Sequence, residues 1–366
     1  MAFRGVFPAP QIEPTEFGLF AVAKPNEHLT AAMDEEWVRG FYQMYNTLPN
    51  YVRGWDETSS TSYVSSSNPG SPLYRELKPI FLEVEDYRST FDLPAEDKFT
   101  RAKLQLEGVS QKALEYELWN GEVALAEGLP NMFLSDSNVT VVHSAAAHGD
   151  AYSPKRALSL LEHYVGEQSP AGEHGVLHLT RDAFIIMMTN NGVFMDNKDR
   201  QHMQTAAGTH VIVGSGYSGD GPHIAINTIA VTSNVATIVT TGDHYMKVGE
   251  TFKITTNAGG TTFDSSWTVK AVTNTTTFTA DITVANQAAT ATPGNVQMQG
   301  SDTTKWIYAT GRVDVLLGET VVTNENLAQG YDVSGNKNDV RIKAVRPAIA
   351  YFDPSIHLAI KVDLTV

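Results

Sequence analysis

A threonine-rich stretch in the middle of the chain, roughly residues 224–300, alternates apolar and polar residues with a period of two. The segments VATIVTT, ETFKITT, SWTVKAV and TTFTADITV are separated by Gly, Asp and Asn, a pattern typical of short β-strands joined by turns. Charged residues are rare there, whereas the flanking segments mix helical and strand patterns. The sequence therefore predicts a small all-β unit over 224–300 that is inserted into a parent fold.

A glycine motif precedes this unit, and its spacing is that of a dinucleotide-binding loop. The stretch THVIVGSGYSGDGPH carries Gly214, Gly216 and Gly219 in the order G-x-G-x-x-G after a strand-like run. A dinucleotide loop must open a helix, because the pyrophosphate is held by free backbone N–H groups at the helix start. Here Pro222 and a second alternating run follow instead. The motif is therefore predicted to be the hinge at which the insertion leaves its host, and no cofactor is expected.

Composition excludes several classes of function. The 366 residues carry 26 Lys and Arg against 41 Asp and Glu, a formal net charge of −15. Proteins bind duplex DNA mainly through Lys and Arg, so direct binding is disfavoured, although enclosing nucleic acid is not. The absence of cysteine removes disulfides, thiol catalysis and cysteine-ligated zinc. No run approaches the roughly 18 apolar residues of a membrane span, and no signal peptide is recognisable, so we expect synthesis and use in the cytoplasm.

The histidines are the natural candidates for a metal or catalytic site. His174 and His178 have the i, i+4 spacing of a helical metal pair, but Gly175 and the β-rich neighbours argue against a helix there. His143 and His148 flank a short alanine run and fit a solvated loop equally well. No nucleophile elbow, phosphate loop or H-E-x-x-H motif occurs. We expect no catalytic residue, no metal and no cofactor.

The N-terminal quarter of the chain contains extended segments that need a surface to lie against. Residues 1–50 hold prolines and scattered phenylalanines, and they predict an arm that includes a short helix over 31–48, where aromatic residues recur at a spacing of four. The arm can pack on its own body or on a neighbouring subunit, and the sequence leaves both open. Residues 51–92 have strand-forming flanks around an N-P-G-S-P turn, which predicts a long hairpin, with a mobile loop as the alternative.

The clearest single element is a long amphipathic helix between Leu93 and Asn120. Gly121 follows it as a left-handed cap. Beyond the helix, 131–223 mix helical and strand patterns and 301–366 hold long alternating strands, so the predicted fold class is α+β. The apolar stripe of the helix recurs at spacings of three and four and consists of Phe99, Ala102, Leu106, Val109, Ala113 and Tyr116.

The order of these parts resembles the major capsid proteins of tailed bacteriophages with the Hong Kong 97-like fold. In that family an N-terminal arm and an extended loop lie across neighbouring subunits, a spine helix crosses a peripheral domain, and an axial domain gathers at the five-fold and six-fold centres. The resemblance covers most of the chain outside the threonine-rich unit, which would be an inserted Ig-like or β-barrel-like domain. It implies an arm with short helix in 1–50, an extended loop in 51–92, a spine-helix peripheral domain in 93–130, a first axial part in 131–223 and return strands in 301–366.

The resemblance also implies a function and a set of partners. Such a protein assembles into hexamers and pentamers, and these form the icosahedral or prolate head shell that encloses the phage DNA. A separate scaffolding protein, a portal, a maturation protease and a possible decoration protein would accompany it, with assembly in the host cytoplasm and residence in the virion. Lys78 is the only lysine in the predicted loop and lies near its base, so lysine–asparagine crosslinking is not expected.

Two alternatives stay open from the residues alone. One is an encapsulin-like nanocompartment shell protein, and the other is a secreted β-rich adhesin or surface protein, which the threonine-rich unit would suit. Under the capsid interpretation, contact with neighbouring subunits is assigned to aromatic and charged residues of the arm and the loop. These are Phe3, Phe7, Phe17, Phe20, Tyr51, Trp55, Tyr63, Tyr74, Arg75, Glu83 and Arg88.

Overall fold

The structure is a computed structural model that describes residues 15–23, 25–27, 37, 39–45, 73–89, 95–143, 149–169, 175–189, 193–195, 203–256, 263–291, 294–326 and 339–365. Strands outnumber helices in this part of the chain, which confirms the predicted α+β class. The helices are α1 Leu19–Ala23, α2 Ala95–Asn120, α3 Glu122–Glu127, α4 Pro154–Gln168 and α5 Arg181–Thr189.

The strands are numbered in chain order. They are β1 Asn26–Glu27, β2 Phe41–Tyr45, β3 Leu73–Leu77, β4 Ile80–Ser89, β5 Thr140–Val141, β6 Val176–Thr180, β7 Val193–Met195, β8 Met203–Thr205, β9 His210–Gly214, β10 His223–Thr232, β11 Val235–Thr240, β12 Thr251–Thr256, β13 Ser266–Asn274, β14 Thr277–Asp281, β15 Gln287–Ala291, β16 Gly294–Met298, β17 Thr304–Thr310, β18 Val313–Leu317, β19 Val321–Asn326, β20 Asp339–Phe352 and β21 His357–Asp363.

Helix α2 is the predicted long helix, and the structure confirms it. Of the predicted apolar stripe, Ala102 and Leu106 are in the core, whereas Val109 and Tyr116 are exposed. The buried face continues through Leu114 and Leu118 instead. Gly121 ends the helix with a φ of 61°, and a Cβ at this position would lie 2.1 Å from the ring of Phe133. Only glycine satisfies both the left-handed backbone and the close approach of the ring. The helix packs against β4 and β20.

In the described residues, the parent fold contains two large sheets besides the two-stranded β2–β3 pair. A seven-stranded sheet has the order β5-β21-β17-β6-β9-β8-β7, and α4 and α5 pack against it. A five-stranded sheet has the order β1-β18-β20-β19, with β4 paired to β20. The chain leaves the first sheet after β9 and returns to it at β17, so the threonine-rich stretch interrupts one continuous sheet.

The prediction of a short helix over 31–48 is wrong for residues 41–45, which form a strand. Trp37 and Arg39 are helical, but β2 follows immediately and pairs antiparallel with β3. Gly40 separates the two conformations with a left-handed φ of 89°, which stops a helix. The partner of β2 lies far along the chain, so the four-residue aromatic spacing could not reveal the strand.

The described strands of the hairpin predicted over 51–92 pair with other parts of the chain. Strand β3 pairs with β2, so the strand pair begins at Phe41 rather than at Tyr51. Strand β4 pairs with β20 from Ile80 to Ser89 and belongs to the five-stranded sheet. Its buried Ile80 and Leu82 face the core, which draws this strand into the body. The predicted hairpin tip lies outside the described residues.

The threonine-rich stretch forms its own sheet. Strands β10, β11, β14, β13, β12 and β16 pair in this order, and β16 pairs back to β10, which closes a ring. Strand β15 pairs with β10 on the same edge as β16, farther along β10. The interior is filled by buried apolar side chains that include Ile229, Ile238, Phe252, Phe278 and Val296. The pairing is that of a small β-barrel, while its status as an independent domain over 224–300 stays a prediction.

Candidate functional site

The glycine-rich loop after β9 is wrapped around a carboxylate of the protein itself. Glu115 of α2 accepts hydrogen bonds from the backbone N–H groups of Ser215 at 2.7 Å and Gly216 at 3.0 Å, and from the N–H of Leu19 at 2.9 Å. The hydroxyl of Ser215 and the amide of Gln111 donate to the same carboxylate at 3.2 and 2.8 Å. Glu115 is fully buried. The peptide groups that could hold an external anion are thus occupied by an internal one.

The same loop packs closely against α2, and its role as the predicted hinge stays a prediction. A Cβ at Gly216 would lie 2.3 Å from the carbonyl oxygen of Lys112, so the loop and α2 are in direct backbone contact. At the other crossing, the carboxylate of Asp220 accepts a hydrogen bond from the N–H of Gly300 at 2.7 Å. The insertion does leave its host here, but both crossings are fixed to their surroundings because buried polar groups must be paired.

The base of the β2–β3 pair is held to the body by side chains and forms a surface that we call the hairpin root, residues 39–45, 73–78 and 130–131. The guanidinium group of Arg75 donates twice to the carbonyl oxygen of Pro130, at 3.1 and 3.3 Å. The Asn131 side chain accepts from the N–H of Lys78 at 2.7 Å and donates to its carbonyl at 2.6 Å. The ammonium group of Lys78 donates to the carbonyl of Arg39 at 2.6 Å.

Aromatic packing supports the hairpin root from below. Trp37 is fully buried in a small cluster with Leu77 and Ile349, and its ring meets Phe41 edge-on at 5.0 Å between centroids. The side-chain amide of Gln43 donates to the carbonyl of Phe352 at 3.1 Å. The two strands that lead to residues 46–72 therefore start from fixed positions.

An apolar groove runs between β4 and the outer face of α2. It has a volume of about 410 Å³. Phe81 is 50% exposed, Val109 43% and Tyr116 41%, and all three side chains line the groove. Large apolar side chains exposed side by side mark interaction surfaces more often than isolated ones do. Val109 and Tyr116 belong to the predicted apolar stripe of α2, so one edge of this stripe faces outward.

One end of the groove is acidic. The carboxylate of Glu117 accepts the N–H groups of Val123 and Ala124 at 3.0 and 2.9 Å, and burial raises the pKa of Glu117 above its ordinary value. The hydroxyl of Tyr116 donates to Glu122 at 2.9 Å. Burial, followed by this contact, raises the pKa of Tyr116 to about 12. The groove therefore has apolar walls with carboxylates at one end, and Lys112 also belongs to its lining.

The predicted contact residues of the arm fall into two groups. Phe17 and Phe20 are partly buried against the protein's own core, and the carbonyl of Phe17 accepts the N–H of Val213 at 2.8 Å. Phe3 and Phe7 lie outside the described residues. Phe17 and Phe20 thus pack on their own protomer, and their contact with a neighbouring subunit stays a prediction.

The predicted contact residues of the loop are spread over two strands. Arg75 is in the hairpin root, and Glu83 forms an ion pair with Lys343 of β20 at 2.6 Å. Tyr74 lies on β3 and Arg88 on β4, where the structure describes their backbone pairing alone. The remaining three, Tyr51, Trp55 and Tyr63, lie outside the described residues.

Two of the four candidate histidines lie in the described part of the chain, His143 exposed after β5 and His178 in the core. His178 lies on β6, as its β-rich neighbours predict, and its ring nitrogens contact the Tyr217 hydroxyl and the Thr310 hydroxyl, each at 2.9 Å. Burial lowers the pKa of His178 to about 3, so the ring is neutral. His174 and His148 lie outside the described residues.

The described residues contain neither a metal-binding cluster nor a membrane-spanning helix. No group of three or more His, Cys, Asp or Glu side chains is placed to hold a metal ion. Among the same residues, no helix combines the length and the apolar character that crossing a membrane requires.

Sequence reasoning missed Glu115 and Phe81. A single acidic residue in an apolar stripe gives no local sign of burial, but Glu115 is preceded by Gln111 one turn earlier, and two polar residues on one helical face were a usable signal. Phe81 alternates with the buried Ile80 and Leu82, which predicts an apolar side chain on the outward face of the strand.

Comparison with known proteins identifies similar structures but no sequence relatives. No family model and no curated protein matches the chain. It is similar over 99% of its length to the capsid of a native GTA particle, with 95% of that chain covered, 10% identity and a TM-score of 0.46. It is similar over 99% of its length to a structure from Mycobacterium phage Ogopogo, with 97% of that chain covered, 14% identity and a TM-score of 0.42. It is similar over 99% of its length to the capsid of Cyanophage P-SCSP1u, with 92% of that chain covered, 9% identity and a TM-score of 0.37.

Proposed function

We propose that the chain is the major capsid protein of a tailed bacteriophage, with the Hong Kong 97-like fold. In this proposal it carries out no catalysis and assembles into hexamers and pentamers that form the head shell. The observation that carries the proposal is that one protomer has both a fixed hairpin root and an open apolar groove. Strands β2 and β3 are five residues each and are fixed to the body, which suits the attachment of a segment that reaches a neighbouring subunit.

Burial of apolar surface supplies the energy for such contacts. Each Å² of apolar surface removed from water contributes about 25 cal/mol. Phe81, Val109 and Tyr116 give one protomer exposed apolar surface of this kind. Because a closed shell repeats every contact many times, an interface that is weak for a pair of subunits becomes sufficient for the assembly.

The charge of the chain supports a container rather than a nucleic-acid-binding protein. A net charge of −15 repels the phosphates of DNA, so the packed genome would be enclosed without being gripped. A separate scaffolding protein, a portal and a maturation protease belong to the same proposal, as do a possible decoration protein, assembly in the host cytoplasm and residence in the virion.

The test replaces residues 46–72 by Asn-Gly, which can join Tyr45 to Leu73 as a two-residue hairpin turn. These two residues are cross-strand partners, so the hairpin root is kept. We expect the parent chain, expressed alone or with a scaffolding partner, to form shells or capsomer rings in electron micrographs. The shortened chain should fold, with an unchanged circular dichroism spectrum, and remain unassembled. A parent chain that stays monomeric at high concentration in both settings contradicts the proposal.

A point variant tests the groove separately. Phe81→Ser removes an exposed apolar side chain from the groove and should weaken assembly at least several-fold, measured as the protein concentration that gives half-maximal particle formation. Val248→Ser is the matched control, because Val248 is 63% exposed on the β-barrel and lies away from the groove. Equal effects of the two substitutions would remove the groove from the proposed interface.

A further inference from the structure

The β-barrel is attached to the seven-stranded sheet by a buried lysine. Lys361 of β21 is only 3% exposed. Its ammonium group donates to the carbonyl oxygens of Gly149 at 2.8 Å and Tyr245 at 3.2 Å, and it lies 2.5 Å from the carboxylate of Glu250. An ammonium group has three hydrogens to donate, so these three acceptors complete its hydrogen bonding.

The acceptors come from both sides of a junction. Tyr245 and Glu250 lie between β11 and β12 of the barrel, whereas Gly149 precedes α4 of the parent fold. A second ion pair crosses the same junction with the charges reversed. Here the barrel supplies the cation, Lys247, and the parent fold supplies the anion, Asp150. Each side thus contributes one cation and one anion.

This arrangement resists rotation of the barrel. The two covalent crossings are bonded to each other, through Asp220 with Gly300 and through the N–H of Gly221 with the carbonyl of Met298. The N–H of His223 also donates to the carbonyl of Ser135 at 2.7 Å, so the barrel is fixed to the parent fold beside the crossings. The contacts of Lys361 and Lys247 fix a second part of the barrel, residues 245–250. A turn of the barrel would pull Glu250 and Tyr245 away from Lys361 and leave a buried charge without partners, which is among the costliest changes in a protein interior.

We infer that Lys361 locks the β-barrel in one orientation on the seven-stranded sheet, so that barrel and sheet behave as one rigid body. Burial lowers the pKa of Lys361 while Glu250 opposes that shift, which fits a charged group whose partner is required. The inference concerns the single protomer and is independent of assembly.

The test measures the orientation of the barrel in unassembled protomers. The chain has no cysteine, so Ser159→Cys on α4 and Thr273→Cys on β13, both exposed positions, accept spin labels at defined places. Pulsed electron spin resonance should give one narrow distance distribution for this labelled parent. Lys361→Met, which keeps most of the side-chain length but cannot donate, should broaden the distribution at least two-fold.

Two further variants keep the test decisive. Glu250→Gln preserves side-chain volume and should also broaden the distribution, and it carries the test if Lys361→Met does not fold by circular dichroism. Lys270→Met is the matched control, because its 2.6 Å ion pair with Asp281 lies on the barrel surface and does not cross the junction. A broad distribution in the labelled parent, or a narrow one in both junction variants, overturns the inference.

Discussion

Replacing Glu115 by alanine should destabilise the protein far more than an ordinary helix substitution. The carboxylate is the acceptor for the N–H groups of Leu19 and Gly216, which are buried, and of Ser215, which is partly buried. Each buried donor left without an acceptor costs about 1–3 kcal/mol, so the two buried donors give roughly 2–6 kcal/mol and the partly buried one adds to this. Water entering the vacated space recovers part of this, so we expect a loss of roughly 3–5 kcal/mol in the free energy of unfolding.

The assay compares urea unfolding of the parent, of Glu115→Ala and of the control Glu107→Ala. Glu107 lies on the same helix and makes an exposed ion pair with Lys103 at 3.9 Å, and the loss of such a pair changes stability by no more than about 0.5 kcal/mol. Hydrogen exchange of the Leu19, Ser215 and Gly216 amides should accelerate in Glu115→Ala alone. If both variants unfold at the same urea concentration, the carboxylate does not hold these three segments together.

The remaining predictions concern acid stability and the glycine loop. Burial lowers the pKa values of His178 to about 3 and of His223 and His357 to about 4, from the ordinary 6.5. The unfolded chain therefore takes up protons first, and stability that is complete above pH 6.5 should be lost as the pH falls through 4, by up to about 1.4 kcal/mol per pH unit for each histidine. Gly216→Ala should cost about 1–3 kcal/mol, because its Cβ would meet the Lys112 carbonyl at 2.3 Å.

Matched variants check these two predictions. His357→Gln should reduce the pH dependence of the urea midpoint, and His163→Gln, at an exposed histidine of α4 next to Glu167, is the matched control. Gly166→Ala meets no atom within 4 Å and lies within a helix, so it should stabilise the protein by about 0.5–1 kcal/mol. A flat stability profile between pH 6.5 and 4, or equal effects of the two glycine substitutions, would contradict the reasoning.

Local patterns predicted those elements whose cause is local. Helix α2 and its end at Gly121 follow from apolar spacing and a glycine cap, and the alternating residues between His223 and Met298 do form strands. Strand β2 was predicted as helix because its five residues carry aromatic side chains at helical spacing, and its partner β3 is distant in sequence. Long-range pairing overrides local preference in such cases.

The site was less predictable than the fold. The G-x-G-x-x-G motif was predicted to be a hinge and not an anion-binding loop. In the structure two of its backbone N–H groups face the carboxylate of Glu115, about a hundred residues earlier, and only the tertiary structure brings the two together. The groove likewise combines one edge of the α2 stripe with Phe81 of β4. Each half reads as ordinary core-forming sequence, and the exposure of both becomes evident once the elements pack.

The closed ring of the β-barrel limits backbone pairing between neighbouring copies of the barrel. In the described residues, every strand of the ring has a partner on each side, and the five-residue β15 alone in the barrel is paired on one side. A sheet edge is a template on which a second chain can add a strand, and aggregation often begins there. Many copies of this barrel held close together would therefore have little means of fusing through their backbones, and contacts between them would depend on side chains, which selection can adjust one residue at a time.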